Sequence, residues 1–317
     1  MQTQALGKSS LVSTRLSYGC MRIVHTWTPS DVTEERAKAG RQSVIAAYEA
    51  GYTLFDHADI YCRGMCETVF GQALREVPGM RNRILIATKC GIRFPGEPRA
   101  DSPHRYDFSA DHILWSCEQS LKRLGVEMID LYQLHRPDVL MNPPEIARAF
   151  DQLKSQGKVR EFGVSNFSPS QVAALQKHLP PPLLPLAVNQ VEIHPLRLDC
   201  FFDGTLDQCI AETITPLSWS PLAGGIVADG GTIDPKHPNH APLSNLLNVL
   251  DETAAKYDVG RTVISLAWLL KHPAKIIPII GATKPENIRQ ATRADAVDLS
   301  REDWYRILVA ARMKPLP

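Results

Sequence analysis

The chain of 317 residues carries 35 Lys plus Arg against 34 Asp plus Glu, a formal net charge of +1, with 44% hydrophobic and 22% charged residues. That is an ordinary globular balance with ample core material, and the near-neutral charge argues against a nucleic-acid partner, which needs a basic excess to neutralise phosphates. No run approaches the roughly 18 apolar residues of a membrane span, so no membrane association is expected.

The stretch Met1 to Ser17 is polar and interrupted, without the apolar run of a secretory signal. Seven cysteines are spread thinly, with no CxxC and no Cys/His cluster at zinc spacing. Reduced thiols in a cytoplasmic protein, and no structural metal, are expected.

Short apolar runs alternate with longer amphipathic ones. Leu16 to Cys20 reads as a strand and Thr33 to Ala50 as a helix, with Thr33 and Glu35 suited to its start. Strand-then-helix pairs continue as Thr53 to Asp56 with Glu67 to Arg75, and Ile84 to Cys90 with Ala110 to Arg123. Met128 to Leu134 precedes a helix from Pro144 to Ser155, and Val159 to Val164 precedes Ser168 to His178. Leu186 to Gln190, Ile214 to Trp219 and Ile276 to Ile280 complete the strands. Between the last two lie a Gly/Pro-rich loop (Gly224 to Pro242) and helical patterns at Leu243 to Tyr257 and Thr262 to Lys271. Eight such units predict a closed parallel (β/α)8 barrel, with an open doubly wound sheet as the alternative that periodicity leaves standing. No compositional break divides the chain, so residues 1–317 are read as one domain.

A dinucleotide site in an open sheet would show GxGxxG after an early strand. The sequence contains no GxG, no Walker phosphate loop and no Tyr-x-x-x-Lys pair. What it does contain is polar residues at strand ends: Asp56 to Tyr61, Thr88-Lys89, His135-Arg136-Pro137-Asp138, Ser165-Asn166 and Asn189-Gln190. Each alone has a bland reading as a loop cap or a solvated charge. Together, at the same end of successive strands, they converge on the mouth of a barrel.

The set makes chemical sense for carbonyl reduction, which needs a proton as negative charge develops on oxygen. A phenol of pKa near 10 is a poor acid at neutral pH, and a lysine about 4 Å away favours phenolate by roughly 4 kcal/mol at an effective dielectric near 20. Lys89 is thus expected to make Tyr61 a competent donor, Asp56 to keep Lys89 charged, and His135 to orient the carbonyl oxygen.

At these residues the chain resembles the aldo-keto reductase superfamily. The matching stretches are Gly51-Tyr52, Phe55 to Tyr61, Thr88-Lys89, Leu134 to Asp138, Gly163 to Phe167, Asn189 to Glu192, Ser218 to Leu222 and Ile279 to Asn287. The form Phe-Asp-His-Ala-Asp-Ile-Tyr and the closing helix near Trp304 resemble a bacterial branch of predicted oxidoreductases. The resemblance implies a barrel with an N-terminal hairpin across its floor and extra C-terminal helices. It implies a catalytic tetrad of Asp56, Tyr61, Lys89 and His135. It puts Ser165, Asn166 and Gln190 on a nicotinamide carboxamide, with Trp219 stacked on the ring and Cys20 and Met21 nearby. Ser220, Pro221, Leu222 and Gly224 would line the pyrophosphate, and Ile280, Gly281, Thr283, Lys284, Asn287 and Gln290 the adenosine end.

Three positions depart from the family. His57 replaces a common threonine, with a packing role expected. Asn287 stands where many NADPH-dependent relatives carry arginine, and Ala291 where a relative's asparagine reads adenine. NADPH is the expected cofactor, preferred over NADH through Lys284. The expected partner is a small carbonyl compound and the expected state a monomer. Since few residues follow the helix near Arg301, an open pocket for small activated aldehydes, α-dicarbonyls or quinones is expected. The alternative is a non-catalytic, nicotinamide-binding regulatory protein, as the potassium-channel β-subunits are on the same fold.

Overall fold

The computed structural model describes residues 1–316. Eight parallel strands close into a barrel, each hydrogen-bonded to its neighbours in chain order. They are β1 (Ser17–Gly19), β2 (Leu54–Asp56), β3 (Leu85–Cys90), β4 (Ile129–Leu134), β5 (Val159–Ser165), β6 (Val188–Glu192), β7 (Thr215–Trp219) and β8 (Ile277–Ile280). The closed barrel, not the open sheet, is the architecture. Every residue of β3 and β4 is buried, because helices cover a parallel sheet from outside and side chains fill it from inside.

The first five helices are α1 (Glu34–Glu49), α2 (Met65–Glu76), α3 (Ala110–Leu124), α4 (Pro143–Ser155) and α5 (Pro169–Gln176). Starts are fixed by the expected chemistry: Thr33 accepts from the Arg36 amide, and Ser168 and Gln171 form a capping box. Next come α6 (Thr205–Glu212), α7 (His240–Lys256), α8 (Arg261–Leu270), α9 (Pro285–Ala291) and α10 (Arg301–Arg312). Both α7 and α8 lie between β7 and β8. On the outside, α10 stacks Trp304 on Trp268 of α8 at 5.3 Å, and each indole donates to the other residue's carbonyl.

The floor is closed by an antiparallel hairpin of Thr3–Ala5 and Val12–Thr14. Its turn sends fully buried Leu6 and Leu11 into the lower barrel layer with Leu54, Leu85, Leu131, Leu217 and Ile277. No helix among the described residues is long and apolar enough to cross a membrane.

Two elements depart from the sequence reading. Helix α6 has no capping side chain and is bracketed by left-handed Gly204 and Thr213, so it carries no start signal. The connection from β3 to α3 makes a small antiparallel hairpin, Ile92–Arg93 with Arg105–Tyr106, too short to show a period. In addition, β6 begins and ends two residues later than read, at Val188 and Glu192.

Candidate active site

Asp56 ends β2, Lys89 lies in the last turn of the pleat of β3, and His135 follows β4 directly. Ser165 ends β5, Gln190 lies in β6, Trp219 ends β7 and Ile280 ends β8. Parallel strands put all of these at one mouth. Asn166 continues β5 with φ +64°, a left-handed turn that asparagine tolerates and that directs its amide back over the mouth.

The centre is Lys89. Its Nζ donates to Asp56 Oδ2 at 2.8 Å, to the His57 carbonyl at 2.7 Å and to Tyr61 Oη at 3.1 Å. All three ammonium donors are thereby used, which is what a buried lysine needs. Asp56 Oδ1 accepts in turn from Gln190 Nε2 at 3.0 Å. Asn166 donates to the His135 carbonyl and to Ser165 Oγ, and its Oδ1 accepts from the Trp219 indole at 2.9 Å. Tyr61 and His135 meet edge to face with ring centroids 6.1 Å apart. Tyr61 is followed by Cys62 and Arg63, both left-handed at φ +46° and +49°, a strained turn that Arg63 ties to Glu97 at 2.6 Å.

Burial works against the charge on Lys89, but Asp56 and Tyr61 outweigh it and hold its pKa above the ordinary lysine value. Burial raises Asp56, and the lysine charge only partly offsets this. With Nζ at hydrogen-bond distance the two form an ion pair. His135 is driven well below its usual pKa by burial and by the positive charges of Lys89 and Arg136, so it is neutral at pH 7. His57 is pushed down to about 3 by burial and packs edge-on against Phe70 at 4.4 Å, as a packing residue would.

One expectation is corrected here. Lys89 does not make Tyr61 more acidic than free tyrosine: the phenol is pushed up to about 12. Burial is the largest cause and exceeds the lysine's pull, because much of that charge is already spent on Asp56.

A cleft of about 500 Å³ runs from Tyr61 and His135 past Trp219 to Asn287 and Gln290. Of the expected contacts, Met21, Asp56, Ser165, Asn166, Gln190, Trp219, Ser220, Pro221, Leu222, Gly224, Ile280, Gly281, Asn287 and Gln290 line it. Three do not. Cys20 is fully buried beneath, its thiol raised well above the ordinary value by burial and by Cys66. The Thr283 carbonyl accepts from Ser43 Oγ. Lys284 precedes the first turn of α9 in extended backbone and is exposed, so it leaves the stripe on which Asn287, Gln290 and Ala291 face the cleft.

Arg22, Trp27, Ile92, Asp229 and Thr262 line the cleft without having been anticipated, and Ile60 and Arg136, which lie in the strand-end stretches read from the sequence, line it without having been given a role. Arg136 had a signal, adjacency to His135. Ile60 precedes Tyr61, Ile92 lies in the short hairpin after β3 and Thr262 in the first turn of α8, while Arg22, Trp27 and Asp229 come from connections whose paths no spacing reveals. The cleft suits a dinucleotide by shape: Gly224, Gly225 and Gly281 line it, and a Cβ at any of them would meet nothing within 4 Å and project into the opening. Gln190, Asn166 and Ser165 line one end with amide and hydroxyl groups that are bonded to one another and to Asp56, His135 and Trp219, so a carboxamide there would share or displace those bonds.

A closed parallel barrel with a buried lysine–carboxylate pair at its mouth belongs to the barrel oxidoreductases. The chain is a member of the aldo/keto reductase family, whose model matches residues 15–310. It is 40% identical over 319 residues to a 6-dehydroglucose reductase of Novosphingobium aromaticivorans, covering 98% of this chain and 96% of that protein. It is 41% identical to the oxidoreductase YdhF of Escherichia coli over 83% of this chain and 84% of that one. Among solved structures, a glycerol dehydrogenase from Gluconobacter oxydans superimposes with a TM-score of 0.83 at 26% identity, covering 99% of this chain and 97% of that one. The chain is therefore an NAD(P)H-dependent oxidoreductase of carbonyl compounds.

Proposed function

We propose that this enzyme reduces small aldehydes and ketones with Tyr61 as proton donor, using NADPH in modest preference to NADH. The observation that carries the reading is the contact of Lys89 Nζ with Asp56 Oδ2 and Tyr61 Oη, at 2.8 and 3.1 Å, at the edge of the cleft.

Bound nicotinamide supplies the hydride. The protein's part is to hold the carbonyl oxygen against Tyr61 Oη and the neutral His135 ring and to give it a proton. A phenol of pKa about 12 is fully protonated at physiological pH. The alkoxide forming on the substrate is a stronger base, with an alcohol pKa comparable to the ~15.7 of water. Proton transfer from Tyr61 to that oxygen is downhill, and Lys89 steadies the phenolate left behind. An acid poised near 7 is not needed.

Cofactor preference turns on the adenosine end. Lys284 sits at the start of α9 and supplies a cation near its first turn. Asp229, which accepts from Gln290 Nε2 at 2.8 Å, lines the same end and repels a 2′-phosphate. The opposed charges, with Asn287 in place of an arginine fork, support a preference near the low end, about 10-fold. The names of two relatives, a 6-dehydroglucose reductase and a glycerol dehydrogenase, favour an oxygen-rich substrate over an apolar one. Steady-state turnover over a panel of aldehydes, ketones and α-dicarbonyls, with NADPH and NADH in parallel, tests the reading. Tight cofactor binding without turnover of any of them would overturn it.

A further inference from the structure

Beside His135, at the catalytic end of the cleft, Arg136 stands with its guanidinium 5.4 Å above the Trp219 ring. It is half-buried, and among the described residues no carboxylate lies within ion-pair distance of it. Several other partly buried arginines are paired. Arg81 and Arg160 both clamp Asp130 at 2.9 Å, and Arg123 holds Glu67 at 2.7 Å. The acid nearest to Arg136 in the chain, Asp138, is committed to backbone: its two oxygens accept from the Phe108 and Leu140 amides at 3.0 and 2.9 Å.

A second guanidinium, Arg22, lines the same cleft, again with no acidic partner among the described residues. The acids lining the cleft are Asp56, paired with Lys89, and Asp229, whose carboxylate accepts from Gln290 Nε2 and the Thr262 amide. Apolar walls come from Trp27, Ile60 and Ile92, and Trp27 meets Tyr61 edge to face at 6.4 Å. At the Tyr61 end of the cleft the Arg136 guanidinium therefore has no carboxylate partner among the described residues, and the one lining carboxylate without an ion pair, Asp229, lies with Gln290 toward the other end. A half-buried guanidinium leaves part of its donor fork poorly solvated, and a planar oxyanion satisfies it with two parallel hydrogen bonds.

We propose that the preferred substrates are small aldehydes or ketones bearing an oxyanion, a carboxylate or a phosphate, which docks on Arg136 while the carbonyl reaches Tyr61. Arg22 adds charge at the rim. This rests on the carbonyl-reductase reading above. Arg136 acts here as a specificity residue: it fixes the far end of the substrate and takes no part in proton transfer.

The test uses the holoenzyme and matched pairs: succinic semialdehyde against butanal, and glyceraldehyde 3-phosphate against glyceraldehyde. We expect kcat/KM at least about 10-fold higher for the charged member of at least one pair, the size of a charge-assisted hydrogen bond, and the pair with the larger ratio identifies the oxyanion. Arg136→Ala should collapse that ratio, Arg136→Lys should retain part of it, and Arg136→Glu should invert it. Calorimetry provides a readout independent of turnover: 4-hydroxybutyrate should bind the enzyme with oxidised cofactor more tightly than butanol does, and Arg136→Ala should abolish the difference. No charged advantage, or a ratio unmoved by Arg136→Ala, overturns the proposal. So does an equal loss of cofactor affinity in that variant, which would make Arg136 a cofactor phosphate ligand. If neither member of any pair is reduced, the carbonyl-reductase reading fails, and the hydroxy-acid titration still decides the role of Arg136.

Discussion

Two buried side-chain oxygens on the segment after β2, those of Tyr61 and Asp59, carry predictions at the level of single residues. Removing the Tyr61 hydroxyl takes away the proton donor but leaves the cleft walls intact. Tyr61→Phe should therefore lower carbonyl reduction by at least about 100-fold with cofactor still bound. Retention of near wild-type turnover, measured alongside cofactor titration, would remove Tyr61 from the mechanism. The second oxygen belongs to Asp59, whose Oδ2 accepts from Ser116 at 2.7 Å while Oδ1 is buried without a partner. Burial raises its pKa to about 7, against an ordinary value of 3.8. The folded state then binds a proton that the unfolded state releases, so this group's stability contribution is full below about pH 4 and is lost as pH rises through 7. Asp59→Asn keeps an acceptor for Ser116 and has no charge to bury. It should stabilise the fold at pH 8 by on the order of 4 kcal/mol, read as a higher Tm, and change little at pH 4. Equal melting temperatures for the two proteins at pH 8 would show that Asp59 ionises freely in the fold.

Between elements, the close approach of α2 to α3 depends on Gly71. A Cβ there would stand 2.6 Å from the Leu124 carbonyl oxygen and 2.8 Å from that of Arg123, both backbone atoms that cannot turn aside. Gly71→Ala should cost about 1–3 kcal/mol in urea unfolding despite alanine's better helix propensity. A neutral or stabilising result would mean the two helices slide apart freely. At α9 the charges of Lys284 and Asp229 oppose each other. Lys284→Ala should weaken NADPH binding severalfold and leave NADH nearly as before, whereas Asp229→Asn should tighten NADPH binding. Parallel changes for both cofactors in fluorescence titrations would move the 2′-phosphate away from this end of the cleft.

For the molecule as a whole, the large exposed apolar side chains, among them Trp27, Trp115, Leu140, Phe202 and Ile210, come from separate loops and helices. Among the described residues they are not gathered on one element, and we expect a monomer of 35.2 kDa by sedimentation. A concentration-dependent dimer would contradict this. Much of this architecture is legible in the chain. Strands β1 to β8 show as apolar runs because both faces of a parallel sheet are buried, and a polar residue ending such a run has one place to go, the barrel mouth. Asp56, Lys89, His135 and Gln190 are readable for that reason, from local pattern alone. Helix α6 and the Ile92–Tyr106 hairpin are not, since one lacks a capping residue and the other is two residues per strand.

What only the tertiary structure decides is the balance of charges in the cleft. The sequence supplies Lys89 and Tyr61 but not the burial that outweighs the lysine and leaves the phenol at about 12. It likewise supplies Lys284, Asp229 and Arg136 without saying which face the cleft. Lys284 steps off the helix stripe, Asp229 arrives from a loop, and Arg136 is left unpaired because Asp138 turns to two backbone amides. Periodicity is set within a few residues of chain, whereas desolvation and ion pairing depend on groups that only folding brings together.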